Sequence, residues 1–219
     1  MIKLVIFDLD GTLLDTIEDL TDATNHALRA LGFPERNAEA CRTMVGRGIR
    51  NLLRSALPDG AATEENVARM EQAFFPYYDV HIQDRTRPYA GIPELLEKLN
   101  GKGVRIALAS NKYQEGAEKL MAHFFGRIPF VKILGQRAGQ PIKPDPAIVG
   151  QILAETPEIR REEVLYVGDS GVDMQTGANA GVRTVGVTWG FRSREELAAG
   201  HPWRIAEDVE ELESFIIPQ

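Results

Sequence analysis

The sequence predicts an α/β fold, a doubly wound parallel sheet with a block of helices inserted after its first strand. Three observations predict it. The chain opens on a short apolar, β-branched run, Met1 to Phe7, that stops at Asp8-Leu9-Asp10-Gly11-Thr12, the pattern of a buried parallel strand ending in a turn. Nothing between Asp15 and Arg85 reads as a strand. From Tyr89 onward, short apolar runs alternate with helical ones, the order of a parallel sheet built from strand–helix units.

The helical block begins after Leu13-Leu14-Asp15. Ile17, Leu20, Thr24, Leu28 and Leu31 step by three and four before Gly32 stops the helix, and Asp15 with Glu18 resembles a helix-start box. A second helix covers Ala38 to Leu57, interrupted by Gly46-Arg47-Gly48. After the turn Pro58-Asp59-Gly60, a third runs from Thr63 to Tyr78. The alternation then proceeds through a helix from Pro93 to Asn100, a strand Val104–Ala109 ending at Ser110-Asn111-Lys112, and a helix Gln114–Phe125. A strand Phe130–Leu134 and a polar loop lead to Lys143-Pro144 and a helix ending near Glu155. A strand Val164–Val167 ends at Gly168-Asp169-Ser170. A short helix from Met174 to Ala180 and a strand Arg183–Val187 follow. Ser193 with Glu196 opens another helix, Trp203-Arg204-Ile205 offers an edge strand, and Val209 to Phe215 closes the chain.

With 219 residues, 43% of them hydrophobic, the chain can bury one sizeable core, or one core plus a smaller inserted domain. A net charge of −7 and no basic run interleaved with aromatics argue against nucleic acid as a partner. The acidic balance leaves a phosphorylated substrate open, because a bound metal supplies local positive charge. Cys41 is the only cysteine, which precludes an internal disulfide and fits a reducing cytoplasm. No apolar run is long enough to span a membrane. Monomer and homodimer both remain open.

A parallel sheet brings its strand carboxyl ends to one edge, where ligands bind. There Asp8 and Asp10, Ser110 and Asn111, and Asp169 with Asp173 should converge, joined by Lys143 from a loop. Close carboxylates repel, and burying them unpaired is costly, so a cation belongs among them. An acidic turn facing water is the plainer alternative for Asp8 and Asp10. Hard oxygen ligands without a nearby His or Cys favour Mg²⁺ over zinc, and a metal-loaded cleft with a Lys and a Ser suits a phosphoryl group. There is no Gly-Lys-Ser/Thr phosphate loop. Lys112 reads as a solvated surface charge.

In order and spacing, these four motifs resemble those of the haloacid dehalogenase superfamily of phosphotransferases. The resemblance implies a Rossmann-like core of residues 1–14 and 88–219, with a helical cap of residues 15–87. It implies that Asp8 attacks phosphorus, and that Asp10 protonates the leaving oxygen and then activates water. It further implies that Mg²⁺ is held by Asp8, the Asp10 carbonyl and Asp169, while Ser110, Asn111 and Lys143 bind phosphoryl oxygens. Gly11 and Thr12 belong to the same substrate-binding set. Asp173 is expected to support the metal, an exposed helix acid being its alternative.

The helical block resembles the cap of phosphoglycolate phosphatases, pyrophosphatases and β-phosphoglucomutases. Asp15-Thr16 through Asn25-His26-Ala27-Leu28 and Leu31-Gly32 look most like the first of these. Gly46 and Arg47 then resemble a cap loop over the substrate, with Arg47 pairing a carboxylate or second phosphate. A helix kink bearing a surface Arg is the alternative. The expected activity is Mg²⁺-dependent hydrolysis of a small phosphorylated metabolite such as 2-phosphoglycolate. Inorganic pyrophosphatase and β-phosphoglucomutase-like phosphotransfer are the alternatives. The cap is expected to hinge at Leu14-Asp15 and at Asp84 to Tyr89.

Overall fold

The computed structural model describes residues 1–217; positions 218 and 219, the end of the expected core segment, lie outside it. Six parallel strands form one sheet in the order β5-β4-β1-β6-β7-β8. They are β1 (Leu4–Phe7), β4 (Arg105–Tyr113), β5 (Ile133–Gln136), β6 (Val164–Gly168), β7 (Arg183–Val187) and β8 (Arg204–Ala206). All four residues of β1 are fully buried. Their side chains alternate, so Val5 and Phe7 join one apolar cluster while Leu4 and Ile6 join another on the opposite face. A strand covered on both faces needs a continuous apolar run, which is what its sequence supplies.

The helices packed around this sheet are α5 (Ile92–Gly101), α6 (Gln114–Phe125), α7 (Ala147–Ala154), α8 (Gly171–Ala180), α9 (Arg194–Ala199) and α10 (Val209–Ile216). The expected strand at Phe130–Leu134 lies further along, at Ile133–Gln136. Its register is fixed by pairing with β4, Leu108 opposite Ile133 and Ala109 opposite Leu134. The edge strand expected at Trp203 is present as β8.

The inserted helices are α1 (Ile17–Ala30), α2 (Ala38–Met44), α3 (Ile49–Ala56) and α4 (Glu64–His81). They leave and rejoin the sheet through a small antiparallel ladder, β2 (Leu14–Asp15) with β3 (Arg87–Pro88), pairing Leu14 with Pro88 and Asp15 with Arg87. The anticipated boundaries, 14/15 and 87/88, fall inside this ladder. Buried Asp19 of α1 pins the returning strand by accepting from the backbone N–H of Arg85 and Thr86 and from the Thr86 hydroxyl. The helix-start box expected of Asp15 and Glu18 is not formed. Thr16 is the residue preceding the helix, and Asp15 instead accepts from the Ile17 N–H at 3.3 Å. Among the described residues, no helix is long and apolar enough to cross a membrane.

Candidate active site

The strand order reverses at β1. The chain passes from β1 to β4 and β5 on one side, then returns to β6 and β7 on the other. Loops leaving the carboxyl ends of neighbouring strands therefore diverge above β1 and open a crevice, the place where open α/β sheets bind ligands. Asp8 follows β1, Asp169 follows β6, and Ser110 to Lys112 form the last turnings of β4, whose register shifts between Ala109 and Tyr113.

Carboxylate oxygens of Asp8, Asp169 and Asp173 lie within 4.8 Å of one another, all buried. The Lys143 ammonium joins them, 2.8 Å from Asp8 Oδ1 and 2.7 Å from Asp173 Oδ1, and also donates to the Ala109 carbonyl at 3.1 Å. Asp8 Oδ1 is buried, and the Lys143 ammonium is its partner, in an ion pair off ideal hydrogen-bond alignment. Asp173 differs. Its Oδ2 accepts from the Ser170 N–H and hydroxyl as the N-terminal cap of α8, and its Oδ1 accepts from Lys143. Asp173 is thus a buried, fully bonded prop rather than the exposed helix acid of the plainer reading.

Burial pushes the Asp8 carboxyl from 3.8 up to about 6, with Lys143 opposing the shift and Asp173 and Asp10 adding to it. Burial likewise raises Asp169 well above the usual carboxylate range, helped by the charges of Asp173 and Asp8. For Lys143, burial works against the ammonium, but Asp173 and Asp8 outweigh it and hold the proton firmly. The buried ammoniums of Lys112 and Lys143 balance only half the charge of Asp8, Asp10, Asp169 and Asp173. The two formal negative charges left over and the oxygen-only donor set fit one hard divalent cation.

The first turn and a later loop hold Asp169 from two sides. Gly11 has φ +85, and a Cβ there would overlap the Asp169 carboxylate. Thr12 is buried, with its hydroxyl 3.5 Å from Asp169 Oδ1, and its carbonyl accepts from the Trp189 indole at 3.1 Å. Both residues therefore pack on the acidic cluster and do not line the cavity described below. From the other side, the Phe191 N–H donates to Asp169 Oδ2 at 2.6 Å. A Cβ on Gly190 would overlap the Asp169 side chain and the Gly11 carbonyl.

Sequence reasoning missed this second loop, Trp189 to Arg192. The available signal was its place directly beyond β7, on the same sheet edge as the other motifs. It also missed Arg192, which donates to the carbonyls of Val45 at 2.6 Å, Thr43 at 3.2 Å and Arg42, tying this loop to the last turn of α2.

A small cavity of about 20 Å³ adjoins Asp8 and Asp10. It is walled by Ser110, Asn111 and Lys112 from the sheet and by Leu20, Gly46, Gly48 and Leu52 from the inserted helices and their loop. Ser110 Oγ accepts from the Lys112 N–H at 3.2 Å, which leaves its own proton free to donate. The Asn111 side chain is fully engaged. Its Nδ2 donates to the Gly46 and Lys143 carbonyls, and its Oδ1 accepts from the Lys143 N–H, so it clamps two loops together.

One expectation needs correction. Lys112 is not solvated: its side chain has 0% exposure and donates to Asp10 Oδ1 at 3.0 Å and to the Tyr78 hydroxyl at 2.7 Å. An acid and a phenol oxygen supply the partners that a buried ammonium requires. Arg47 is exposed and lines an outer groove with Asn51, Ser55 and Gln175, away from the cavity. Its flanking glycines, at φ +112 and +82, turn their own backbone toward the cavity. The structure does not bring Arg47 to the acidic cluster.

The switch-point crevice, the buried acidic triad and its lysine define an α/β protein with a polar site of acids and one ammonium at the carboxyl end of a parallel sheet. The model of the haloacid dehalogenase-like hydrolases matches residues 5–187, and the chain belongs to that family. It is 32% identical to a phosphoglycolate phosphatase of Vibrio parahaemolyticus over 216 residues, covering 96% of this chain and 94% of that protein. It is 35% identical to a phosphoglycolate phosphatase of Pseudomonas putida, covering 96% of this chain and 78% of that protein. The crystal structure of a candidate phosphoglycolate phosphatase from Lactobacillus delbrueckii subsp. bulgaricus superposes with a TM-score of 0.91 at 32% identity, covering 99% of each chain. CbbY from Rhodobacter sphaeroides, solved in complex with phosphate, superposes with a TM-score of 0.74 at 25% identity over 94% of each chain.

Proposed function

We propose that the protein is a Mg²⁺-dependent phosphatase of small phosphate monoesters, 2-phosphoglycolate foremost, and that it works through an aspartyl-phosphate on Asp8. The observation that carries the reading is the buried Asp8 carboxylate at the switch point, ion-paired to Lys143 and clustered with Asp169 and Asp173. Asp8 and Asp169 with the Asp10 carbonyl would hold the ion, and Asp173 would brace the set. When bound, the ion supplies positive charge opposite the phosphoryl oxygens and the clustered carboxylates.

In the first step an Asp8 oxygen forms a bond to phosphorus as the ester P–O bond breaks. Asp10 gives its proton to the departing oxygen. In the second, Asp10 takes a proton from water. The resulting oxygen bonds to phosphorus, the bond to Asp8 breaks, and phosphate leaves. Lys143 offsets the charge near the nucleophile, and the free Ser110 proton is a donor for a phosphoryl oxygen. The helical insertion, residues 15–87, acts as a cap that moves against the core about the ladder of β2 and β3.

The leaving group is assigned from one line of support: the relatives named above are phosphoglycolate phosphatases. Steady-state rates on 2-phosphoglycolate, pyrophosphate, glucose 6-phosphate and p-nitrophenyl phosphate test the reading, with and without EDTA. The expected result is highest kcat/KM for 2-phosphoglycolate, full loss with EDTA and recovery with Mg²⁺. Acid quenching during turnover should leave a phosphoryl group on Asp8, and Asp8→Asn should abolish both it and turnover while retaining the fold. Turnover by a folded Asp8→Asn protein would overturn the mechanism, and a preference for pyrophosphate or hexose phosphate would overturn the substrate.

A further inference from the structure

We infer that Lys112 is a positioning residue for Asp10, and that Tyr78 of the inserted helices holds it in place, so that the acid of the first step is aimed only when α4 is seated on the sheet. The inference rests on the reading of Asp10 as the proton donor.

Among the described residues two ammoniums are buried, and Lys143 is spent on Asp8, Asp173 and the Ala109 carbonyl. The Asp10 carboxylate is served by Lys112 alone among the described residues, at 3.0 Å to Oδ1. That contact occupies one carboxyl oxygen and leaves Oδ2 to carry the transferred proton. A carboxyl free to spin about its last bond would offer its proton in the right direction for a fraction of the time. One whose Oδ1 is tethered to a fixed ammonium does not. The ammonium is itself fixed. Its side chain is fully buried, its Nζ donates to the Tyr78 hydroxyl at 2.7 Å, and it lies 4.9 Å from the centre of that ring. Tyr78 is fully buried on α4 and belongs to the apolar cluster shared by sheet and insertion. Its phenol therefore cannot follow Lys112 if α4 departs. The chain of contacts runs from Tyr78 on the insertion, through Lys112 on β4, to Asp10 beyond β1.

A leaving-group comparison tests the inference. Alkoxides need a proton on departure, whereas p-nitrophenolate is a stable anion and leaves without one. kcat/KM reports only the steps up to that departure, before water attacks. For Lys112→Met, kcat/KM should fall by about 10²-fold on 2-phosphoglycolate and on glycerol 3-phosphate, and by less than about threefold on p-nitrophenyl phosphate. Tyr78→Phe, which keeps the buried ring, should show the same split at about three- to tenfold. It carries the test if Lys112→Met fails to fold by circular dichroism. Asp10→Asn is the reference and should split the substrates in the same sense.

Equal losses on all three esters for Lys112→Met, with Asp10→Asn still splitting them, would overturn the inference and make Lys112 a structural strut. Loss on 2-phosphoglycolate alone would also overturn it, because Lys112 would then read the carboxylate of the leaving group. Failure of Asp10→Asn itself to split the esters would overturn the acid role of Asp10, and the inference with it.

Discussion

Gly190→Ala is the perturbation that tests how Asp169 is held. Gly190 has an ordinary backbone conformation, so the substitution introduces no φ strain. Its cost is contact alone: the new methyl would overlap the Asp169 side chain and the Gly11 carbonyl, both close to the Gly11–Thr12 turn. Neither neighbour is the free end of a flexible chain. The Asp169 carboxylate is bonded to the Phe191 N–H and Thr12 hydroxyl, and the Gly11 carbonyl is backbone. Forcing a methyl group into a packed site typically costs about 1–3 kcal/mol. For a chain of this size, each kcal/mol lowers Tm by roughly 2–4 °C. The larger effect falls on catalysis, because displacing a reacting group by about 1 Å costs on the order of 10²-fold. The assay is kcat/KM on 2-phosphoglycolate across a Mg²⁺ titration, alongside a thermal melt. The expected outcome is a folded protein with kcat/KM down by about 10²-fold and a higher Mg²⁺ requirement. Gly150→Ala is the control. It sits exposed on α7 with nothing near its would-be Cβ, and should gain about 1 kcal/mol of stability with unchanged kinetics. Wild-type kinetics and Mg²⁺ dependence in Gly190→Ala would refute the wedge.

Arg47→Ala should change kcat/KM by less than about twofold on both 2-phosphoglycolate and p-nitrophenyl phosphate, the range of an exposed side chain outside the site; a tenfold loss confined to the anionic ester would place it at the substrate after all. The raised carboxyl of Asp8 gives a sign for pH. Without metal, the folded protein binds this proton more tightly than the unfolded chain, so the group's contribution to stability declines as pH rises from 3.8 to about 6 and is level above. Mg²⁺ competes with that proton, so its stabilising effect on Tm should be larger at about pH 7 than at about pH 5, and Asp8→Asn should remove most of the difference; a pH-independent effect would mean that Asp8 does not hold the ion.

Much of this was legible because a parallel sheet turns sequence order into spatial convergence. Asp8, Ser110 and Asp169 each follow an apolar run, and the topology brings all three to one edge. Lys143 was legible through the Lys-Pro motif rather than through any strand. What could not be read was orientation. Lys112 stands in a polar triplet that looks like a surface turn, but β4 continues to Tyr113 with a register shift, and the lysine is buried against Asp10 and Tyr78. A partner 34 residues away on an inserted helix leaves no local trace. The same holds for Arg47, whose glycine neighbours suggested approach to the ligand. Here it is the glycine backbone that lines the cavity, while the side chain between lines the outer groove.

Several polar contacts between sheet and insertion lie at the rim of the cavity, while Tyr113 and Lys119 bond Asp79 of α4 away from it, and the rim set bears on turnover. Asn111 holds the Gly46 carbonyl, Arg192 holds the carbonyls of Thr43 and Val45, and Lys112 holds Tyr78. With these made, the interior has room for about one water molecule, so a phosphate ester enters only when the segment from Thr43 to Gly48 withdraws. A neutral hydrogen bond contributes about 0.5–1.5 kcal/mol net and one to a charged group about 1.5–3. By those figures the four bonds broken together would cost about 5–10 kcal/mol, so the closed arrangement is strongly favoured and an open form is minor. The apparent affinity of any substrate is reduced by that minor fraction. A ligand regains the loss only by contacts made after the segment returns, and those contacts are with the cavity wall. Discrimination between esters thus depends on how well each leaving group lets Gly46 and its neighbours close again. A bulky group that bound the phosphoryl site well but held the segment away would leave the Asn111 and Arg192 bonds unmade. If the same displacement unseated α4, Lys112 would lose Tyr78 as well, and the ester would bind without its acid being aimed.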